Sequence, residues 1–142
     1  MNNKQNFINE LFKFVTLLEN SGDFIFSQVG LTVKTYQILY LISTWLDTSK
    51  SLLGGSYGSK PNMAKKLRFL EENAFITRSI DLKDKRVFRF MLTKKWNQAM
   101  QKVSPIYENA ISEIFDWIND KNIEVWQSII NKCLQNFHIH CS

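Results

Sequence analysis

The chain has 142 residues, of which 44% are hydrophobic and 22% charged, and this composition is typical of one soluble globular domain. No apolar run approaches the roughly 18 residues of a membrane-spanning helix, and the N-terminal segment lacks the pattern of a signal peptide. We therefore expect a cytoplasmic protein with no membrane partner. The two cysteines, Cys133 and Cys141, are too few and too late in the chain for a disulfide framework.

The net charge of +5 is concentrated in one segment. Residues 58–102 contain twelve Lys or Arg against four Asp or Glu, a balance of +8, whereas the remainder has a balance of −3. A basic segment on a slightly acidic body is typical of a protein that binds a polyanion, and nucleic acid is favoured over a membrane surface. The alternative interpretation is a solvated surface that happens to be rich in lysine.

The chain begins with two predicted helices. Apolar residues at spacings of three and four indicate an amphipathic helix over residues 4–20. This helix either ends or bends near Gly22, or it continues toward Gly30. Thr32 is the predicted N-cap of the next helix, because its hydroxyl can accept a hydrogen bond from a first-turn amide. That helix has two apolar stripes, the second of which extends to Trp45, so we expect it at the centre of the core.

A helix-turn-helix is predicted next. Residues 47–58 are rich in turn formers and leave room for only a short helix at about 49–55, which its glycines weaken. Its inward-facing residues would be Leu52, Leu53 and Tyr57. Ser59 is a good N-cap for a second helix, Pro61 fits its first turn, and the helix is expected to run to about Asn73. A first helix of this kind buttresses the second one against DNA.

The second helix of this pair has an apolar stripe and a basic face. Its stripe, which repeats at spacings of four and three, consists of Met63, Leu67 and Leu70. The side chains away from that stripe are Lys60, Asn62, Lys65, Lys66 and Phe69. The asparagine suits a bidentate contact with adenine, and the adjacent lysines suit phosphate or guanine contacts. A solvent-facing helix with ordinary lysines is the alternative.

A β-hairpin is predicted after this helix. Residues 74–80 approach and begin a strand, and alternating side chains over residues 87–92 predict its partner. The connection between them contains aspartates, which favour a turn, and three cations. Lys85 and Arg86 lie at its tip and can reach a minor groove, whose negative potential attracts arginine. Helix and hairpin together predict a winged helix-turn-helix.

Two long helices are predicted at the C-terminal end. Thr93 would cap a helix that extends to about Asn119 and is kinked at Pro105, and a last helix would span about 123–137. They carry more aromatic surface than a small winged domain can cover, which favours a homodimer formed by the first and last helices. The predicted fold class is therefore mainly α with a small β wing, in which terminal helices form a dimerisation region.

Several residues of the predicted helix and wing resemble a known family in their order and spacing. They are Leu31-Thr32, the run from Leu70 to Arg78, Asp81, Asp84-Lys85-Arg86 and Leu92-Thr93. Together they resemble the MarR family of winged helix-turn-helix regulators, over nearly the whole chain. The resemblance implies one MarR-like domain over residues 1–142, with a DNA-binding part at about 31–95 and dimerisation helices at about 4–28 and 96–138.

The resemblance also implies a function. Such a protein is a homodimer that binds a pseudo-palindromic operator in double-stranded DNA, usually as a repressor relieved by a small ligand or by cysteine oxidation. A small aromatic molecule is the ligand expected here. The helix at about 60–72 would enter the major groove and Arg86 the minor groove, while Asp84 would orient the wing through a salt bridge to a nearby arginine, with Arg78 as a second wing-orienting residue. The residues expected to contact DNA are Ser59, Lys60, Asn62, Lys65, Lys66, Lys83, Lys85 and Arg86.

Two positions depart from the family pattern. Ala74 stands where the family usually has Gly, at a position that often needs a positive φ. Trp96 stands where the family usually has Gly shortly after the Leu-Thr pair, and it could fill a pocket that other members leave for a ligand. These departures motivate an alternative function, a winged-helix module that docks a protein partner rather than DNA.

Enzymatic and metal chemistry find little support in the sequence. The only histidines are His138 and His140, so no histidine-based catalytic triad is available. These two residues and Cys141, with Cys133 upstream, match no standard zinc spacing. Cys133 falls on the apolar face of the last helix and is expected to be a small core residue rather than a redox-active thiolate. We expect no enzyme activity, no cofactor and no metal.

Overall fold

The computed structural model describes residues 2–56 and 59–141, apart from the side chains of residue 56 and of residues 138–141. The helices are α1 (Asn3–Phe26), α2 (Val33–Ser43), α3 (Ser49–Ser56), α4 (Lys60–Glu72), α5 (Lys94–Phe115) and α6 (Asp120–Cys141), with a 3-10 turn at Ser27–Val29. The strands β1 (Ile76–Ile80) and β2 (Phe88–Leu92) pair antiparallel. The predicted fold class, mainly α with a small β wing, is confirmed. The chain forms two compact units, Met1–Tyr107 and Glu108–Ser142.

α1 runs without interruption through Gly22, so the second of the two predicted alternatives, continuation of the helix, is correct. Gly22 is buried, and a Cβ at this position would overlap the Val33 side chain. The neighbouring Asp23 carboxylate accepts a 2.8 Å hydrogen bond from the Val33 amide, in the first turn of α2. Gly22 therefore serves close helix packing, and the left-handed residue that redirects the chain is Gly30, with φ 76°.

α2 lies in the core of the first unit, as expected. Thr32 caps it through reciprocal hydrogen bonds with Thr35. Its buried apolar residues are Val33, Ile38, Leu39 and Ile42. The expectation that its second stripe includes Trp45 is wrong, because the helix ends at Ser43 and Trp45 adopts φ 72°. The turn carries the indole off the helix, and its side chain is 88% exposed.

The helix-turn-helix forms as its local sequence predicts. α3 matches the short predicted helix and buries Leu52 fully, whereas Tyr57, expected to face inward, lies outside the described residues. Ser59 caps α4 by accepting a hydrogen bond from the Asn62 amide, and Pro61 occupies the first turn. The buried stripe of α4 is the predicted one, Met63, Leu67 and Leu70.

The chain leaves α4 through a left-handed turn at Ala74, whose φ is 60°. The Phe75 amide donates to the Leu70 carbonyl at 2.9 Å and the Ala74 amide to the Glu71 carbonyl at 3.0 Å, which is the pattern of a Schellman motif. Ala74 thus occupies a positive-φ position, at a steric cost of roughly 1 to 2 kcal/mol relative to a right-handed conformation. The Thr93 hydroxyl donates to the Ala74 carbonyl at 2.6 Å and so ties this turn to the start of α5.

The C-terminal helices differ from the prediction in extent and exposure. Pro105 lies inside α5, which ends at Phe115 rather than near Asn119, and α6 begins earlier than predicted, at Asp120. The second unit contains only the end of α5 and α6, which are too few residues to enclose a core of their own. Cys133 is consequently exposed, and the prediction that it is a core residue is wrong. No helix in the described ranges is long and apolar enough to span a bilayer.

Candidate nucleic-acid interface

α4 presents a polar, cationic face away from its buried stripe. Lys60, Asn62 and Lys65 are exposed, and Lys66 is half-buried. Arg68, further along the helix, is also exposed. None of the cationic side chains of α4 forms an ion pair with another residue that the structure describes. These long side chains are therefore available to a polyanion.

The N-terminus of α4 has the electrostatic character of an anion site. First-turn amides of a helix have no intrahelical acceptor, and the aligned peptide dipoles place a partial positive charge there. Ser59 Oγ accepts a 3.4 Å hydrogen bond from one of these amides, that of Asn62. Lys60, the first residue of the helix, adds a full positive charge. Ser59 and Lys60, both predicted to contact DNA, thus lie at the end of α4 where a phosphate is favoured.

The β-hairpin is held to the helix-turn-helix along β2. β1 and β2 pair over all five positions of each strand. Phe90, at the centre of β2, is buried. Its amide donates a 2.8 Å hydrogen bond to the Asp47 carbonyl, which lies in the connection between α2 and α3. The hairpin is therefore fixed to the connection that leads into the helix-turn-helix.

Arg89 strengthens the same attachment through its side chain. Its Nε donates to Asp81 Oδ2 at 2.6 Å, and its Nη1 donates to Asp47 Oδ1 at 2.7 Å. The two carboxylates raise the pKa of Arg89 above its ordinary value, and the hydrogen bond to Asp81 contributes most. Sequence reasoning missed this role and treated Arg89 as one alternating strand position, because no local pattern indicates a partner 42 residues away.

Two aspartates shape the loop at the tip of the wing. Asp81 Oδ1 accepts hydrogen bonds from the amides of Lys83 at 2.6 Å and Asp84 at 3.2 Å. The Asp84 carboxylate accepts from the Arg86 amide at 3.0 Å and from the Arg86 guanidinium at 3.1 and 3.2 Å. These bonds lower the pKa of both carboxyls; the Lys83 amide contributes most for Asp81, and the Arg86 guanidinium contributes most for Asp84. The tip is therefore an internally bonded loop.

The two predicted wing-orienting residues have different partners. Asp84 forms its salt bridge with Arg86, the arginine predicted to enter the minor groove, whose side chain is 90% exposed. Arg78 instead pairs with Glu71 of α4 at 3.1 Å, and its guanidinium lies 4.6 Å from the centre of the Phe88 ring. Arg78 thus connects the hairpin to α4, while Asp84 fixes the direction of Arg86.

The predicted DNA-contacting residues all belong to the first unit and are exposed or half-buried. Those of α4 and its cap are Ser59, Lys60, Asn62, Lys65 and Lys66, and those of the wing are Lys83, Lys85 and Arg86. A cationic helix face and a cationic hairpin tip on the same unit can contact a polyanion at two places.

Trp96, one of the two departures from the family pattern, is buried in an aromatic cluster of the first unit. The centre of its ring system lies 6.0 Å from the ring centre of Tyr36. Tyr36 in turn stacks on Phe26 at 4.3 Å and meets Tyr107 edge-on at 5.5 Å. Burial raises the pKa of Tyr107. Trp96 therefore fills interior space near the start of α5.

Metal-ligating side chains are scattered in the part of the chain that the structure describes. Within that part, no three His, Cys, Asp or Glu residues come together in a way that could hold a metal ion. The tail residues considered from the sequence, His138, His140 and Cys141, have side chains outside the described set.

The winged helix-turn-helix of this chain is the fold of a known class of proteins, the MarR family of transcriptional regulators. No protein-family model matches the chain. Solved structures of that class nevertheless share its fold over nearly its whole length. The resemblance predicted from the sequence is therefore confirmed at the level of the fold.

Four particular proteins illustrate the likeness. AbsC from Streptomyces coelicolor has a TM-score of 0.84 and 17% identity, with 97% of each chain covered. A second MarR family regulator from that organism, solved in complex with DNA, has a TM-score of 0.85 and 17% identity, covering 96% of this chain and 93% of its own. MepR of S. aureus, also solved with DNA, has a TM-score of 0.76 and 17% identity, and the match covers 90% of this chain and 96% of that one. YwaE of Bacillus subtilis (strain 168), an uncharacterized HTH-type transcriptional regulator, is 25% identical over 118 residues, 80% of this chain and 67% of that protein.

Proposed function

We propose that this chain is a sequence-specific transcriptional regulator that binds double-stranded DNA and has no enzymatic activity. The observation that carries the proposal is the combination of an exposed cationic face on α4 with a cationic wing tip on the same unit. The fold supports it, because the MarR family regulator of Streptomyces coelicolor and the MepR protein described above share this fold and are both solved in complex with DNA. A DNA partner agrees with the cytoplasmic location expected from the sequence.

In the proposed complex α4 enters the major groove and the wing enters the minor groove. Asn62 contacts an adenine edge, and Lys65 and Lys66 contact phosphates or guanine. Ser59 and Lys60 receive a phosphate at the helix N-terminus. The wing cations Lys83, Lys85 and Arg86 contact the minor groove and its flanking phosphates, and Asp84 holds the arginine in a fixed direction.

The test is a mobility-shift titration with DNA fragments that include the promoter of the protein's own gene, over a series of salt concentrations. Affinity should fall steeply with salt, because each neutralised phosphate contributes about −0.9 to the slope of log K against log salt. Binding that is absent at low salt, or indifferent to salt, would contradict the proposal. Arg86→Ala should weaken binding, and full retention of affinity would remove the wing arginine from the mechanism.

We also propose that the protein acts as a homodimer, as a repressor on a pseudo-palindromic operator. In this proposal residues at about 31–95 bind DNA, and those at about 4–28 and 96–138 form the dimerisation region. The terminal helices expose large apolar side chains, among them Phe12, Leu17, Ile130 and Phe137. Large apolar side chains exposed along a helix are typical of an interface. Sedimentation analysis should give a dimer, and selected DNA should contain two half-sites about 10 base pairs apart or a multiple of that spacing.

The remaining proposed partner is a small aromatic ligand that relieves repression. The aromatic cluster around Trp96 supports the competing possibility of constitutive DNA binding, since rings occupy that interior. A thermal-shift screen with aromatic acids separates the two. A clear upward shift would favour ligand relief and contradict constitutive binding by a filled interior.

The protein-docking alternative gains no support from the geometry. Ala74 adopts the left-handed conformation of its position, and Trp96 packs inside the first unit, so both departures are accommodated without loss of the helix or the hairpin. DNA binding therefore remains the better supported function. Stoichiometric capture of a protein partner, together with no DNA footprint, would reverse this preference.

A further inference from the structure

Leu82 is a fully exposed leucine at the tip of the wing, with 100% of its surface accessible. Its backbone lies in the bonded part of the loop. The Asp81 carboxylate accepts hydrogen bonds from the amides of Lys83 and Asp84. The Asp81 amide also donates to the Val87 carbonyl at 2.9 Å, which closes the base of the loop. The wing therefore presents this leucine on an ordered support.

The surroundings of Leu82 combine positive charge with further apolar surface. Lys83, Lys85 and Arg86 follow it within four residues, and all three are exposed. Behind it, Ile80 and Phe88 form a cross-strand pair and are 55% and 42% exposed. The far half of the wing thus combines exposed apolar side chains with three cations against two aspartates, and this excess of positive charge favours an anionic occupant.

The DNA minor groove fits both properties of this tip. Phosphates flank the groove on each side, where they can pair with the cations that follow Leu82. Apolar side chains such as leucine can insert between base steps in the minor groove, where they partly unstack the bases and kink the duplex. Pyrimidine–purine steps deform most easily, so an inserted leucine favours those sequences without a hydrogen bond to any base.

We propose that Leu82 is a specificity-determining residue that inserts into the minor groove as an apolar wedge and selects a flexible pyrimidine–purine step beneath the wing. This inference rests on the proposed DNA-binding function. In this proposal the two wing residues recognise different properties of the DNA. Arg86, held by Asp84, is attracted by the negative potential of the minor groove, whereas Leu82 selects a base step that deforms easily.

The experiment uses the full-length protein and three variants, Leu82→Ala, Leu82→Met and Met91→Ala. Met91 is the matched control, because it is an apolar residue of the same hairpin, 55% exposed, that lies away from the tip. In vitro selection of bound DNA for the wild-type protein locates the step beneath each wing. Competition binding then compares that site with one in which the step is replaced by a stiff AA step.

The wild-type protein should prefer the flexible step by about three- to tenfold, and Leu82→Ala should lose this preference. Its affinity for non-specific DNA and its salt dependence should stay within about twofold of the wild type, since no charge is changed. Leu82→Met should retain most of the preference, and Met91→Ala all of it. A Leu82→Ala protein that selects the flexible step as strongly as the wild type would overturn the wedge and leave DNA binding standing. A wild-type protein that binds no DNA would overturn both proposals.

Discussion

The lysines of α4 and the arginines of the wing differ in whether a carboxylate pairs with them. The wing arginines have carboxylate partners, Glu71 for Arg78, Asp84 for Arg86, and Asp47 and Asp81 for Arg89. The lysines of α4 have no such partner within the described chain. An arginine that is already fixed loses little side-chain entropy on binding, whereas a free lysine loses more but can adjust to its target. The wing is thus preorganised and α4 is adaptable.

The largest effect on DNA binding is expected from α4. Replacing Lys65 and Lys66 together by alanine should lower affinity roughly 10- to 100-fold at low salt and reduce the salt slope by about 2, because two phosphate contacts are lost. The matched control replaces Lys121 and Lys132, two exposed lysines of α6, and removes the same charge. Because these lysines lie in the proposed dimerisation region, the control is first checked by sedimentation; a control that remains dimeric and loses as much affinity in the same titration would show that net charge rather than the α4 face governs binding.

A smaller loss is expected from the attachment of the wing. Arg89→Ala should reduce affinity roughly fivefold, because the wing is no longer preorganised, while the salt slope stays nearly unchanged. Arg89→Lys should restore little, since an ammonium group lacks the planar fork that reaches both carboxylates.

Asp47→Asn provides the check on this interpretation. If Arg89 acts through Asp47, the double variant should bind little worse than Arg89→Ala alone, as residues of one network are not additive. Losses that simply add in a double-mutant cycle would show that the two residues influence DNA binding independently.

The turn that joins α4 to the wing should respond in stability rather than in affinity. Ala74→Gly should raise the free energy of unfolding by about 1 kcal/mol and the melting temperature by about 3 °C, because glycine tolerates φ 60°. The control Ala64→Gly, in the exposed interior of α4, should lower stability by about 1 kcal/mol. Thermal unfolding of both variants measures these changes in stability. If Ala74→Gly destabilised the protein as Ala64→Gly does, the left-handed conformation of Ala74 would be contradicted.

The smallest effect concerns pH. The pKa values of Asp81 and Asp84 are lowered in the folded wing, so the stability that these carboxylates contribute is present above their unfolded pKa of about 3.9. It is lost as the pH falls through the lower folded values. The amide resonances of Lys83 and Arg86 should therefore stay constant from about pH 5 to 8 and shift only in more acidic solution. A midpoint above about pH 5 in an NMR titration would contradict the bonded tip.

α4 and the wing could be predicted from the sequence because local interactions define them. The Ser59 cap, the stripe of Met63, Leu67 and Leu70, and the aspartate turn each involve residues a few positions apart. Such interactions leave caps, periodicities and turn formers in the sequence itself. The resemblance to the MarR family added the order of these elements, and the fold confirms it.

Tertiary structure alone decided how the elements are joined. Arg89 is paired with Asp47 from a distant segment, and Gly22 accommodates the approach of Val33, so neither role has a local signal. The spacing of Trp45 places it on an apolar stripe of α2, but the helix ends before this residue and its side chain is exposed. Helical periodicity describes one segment at a time, whereas these outcomes depend on which segments meet in space. The sequence therefore specified a cationic helix and a hairpin, and the folded chain supplied the contacts that fix the hairpin to the helix-turn-helix.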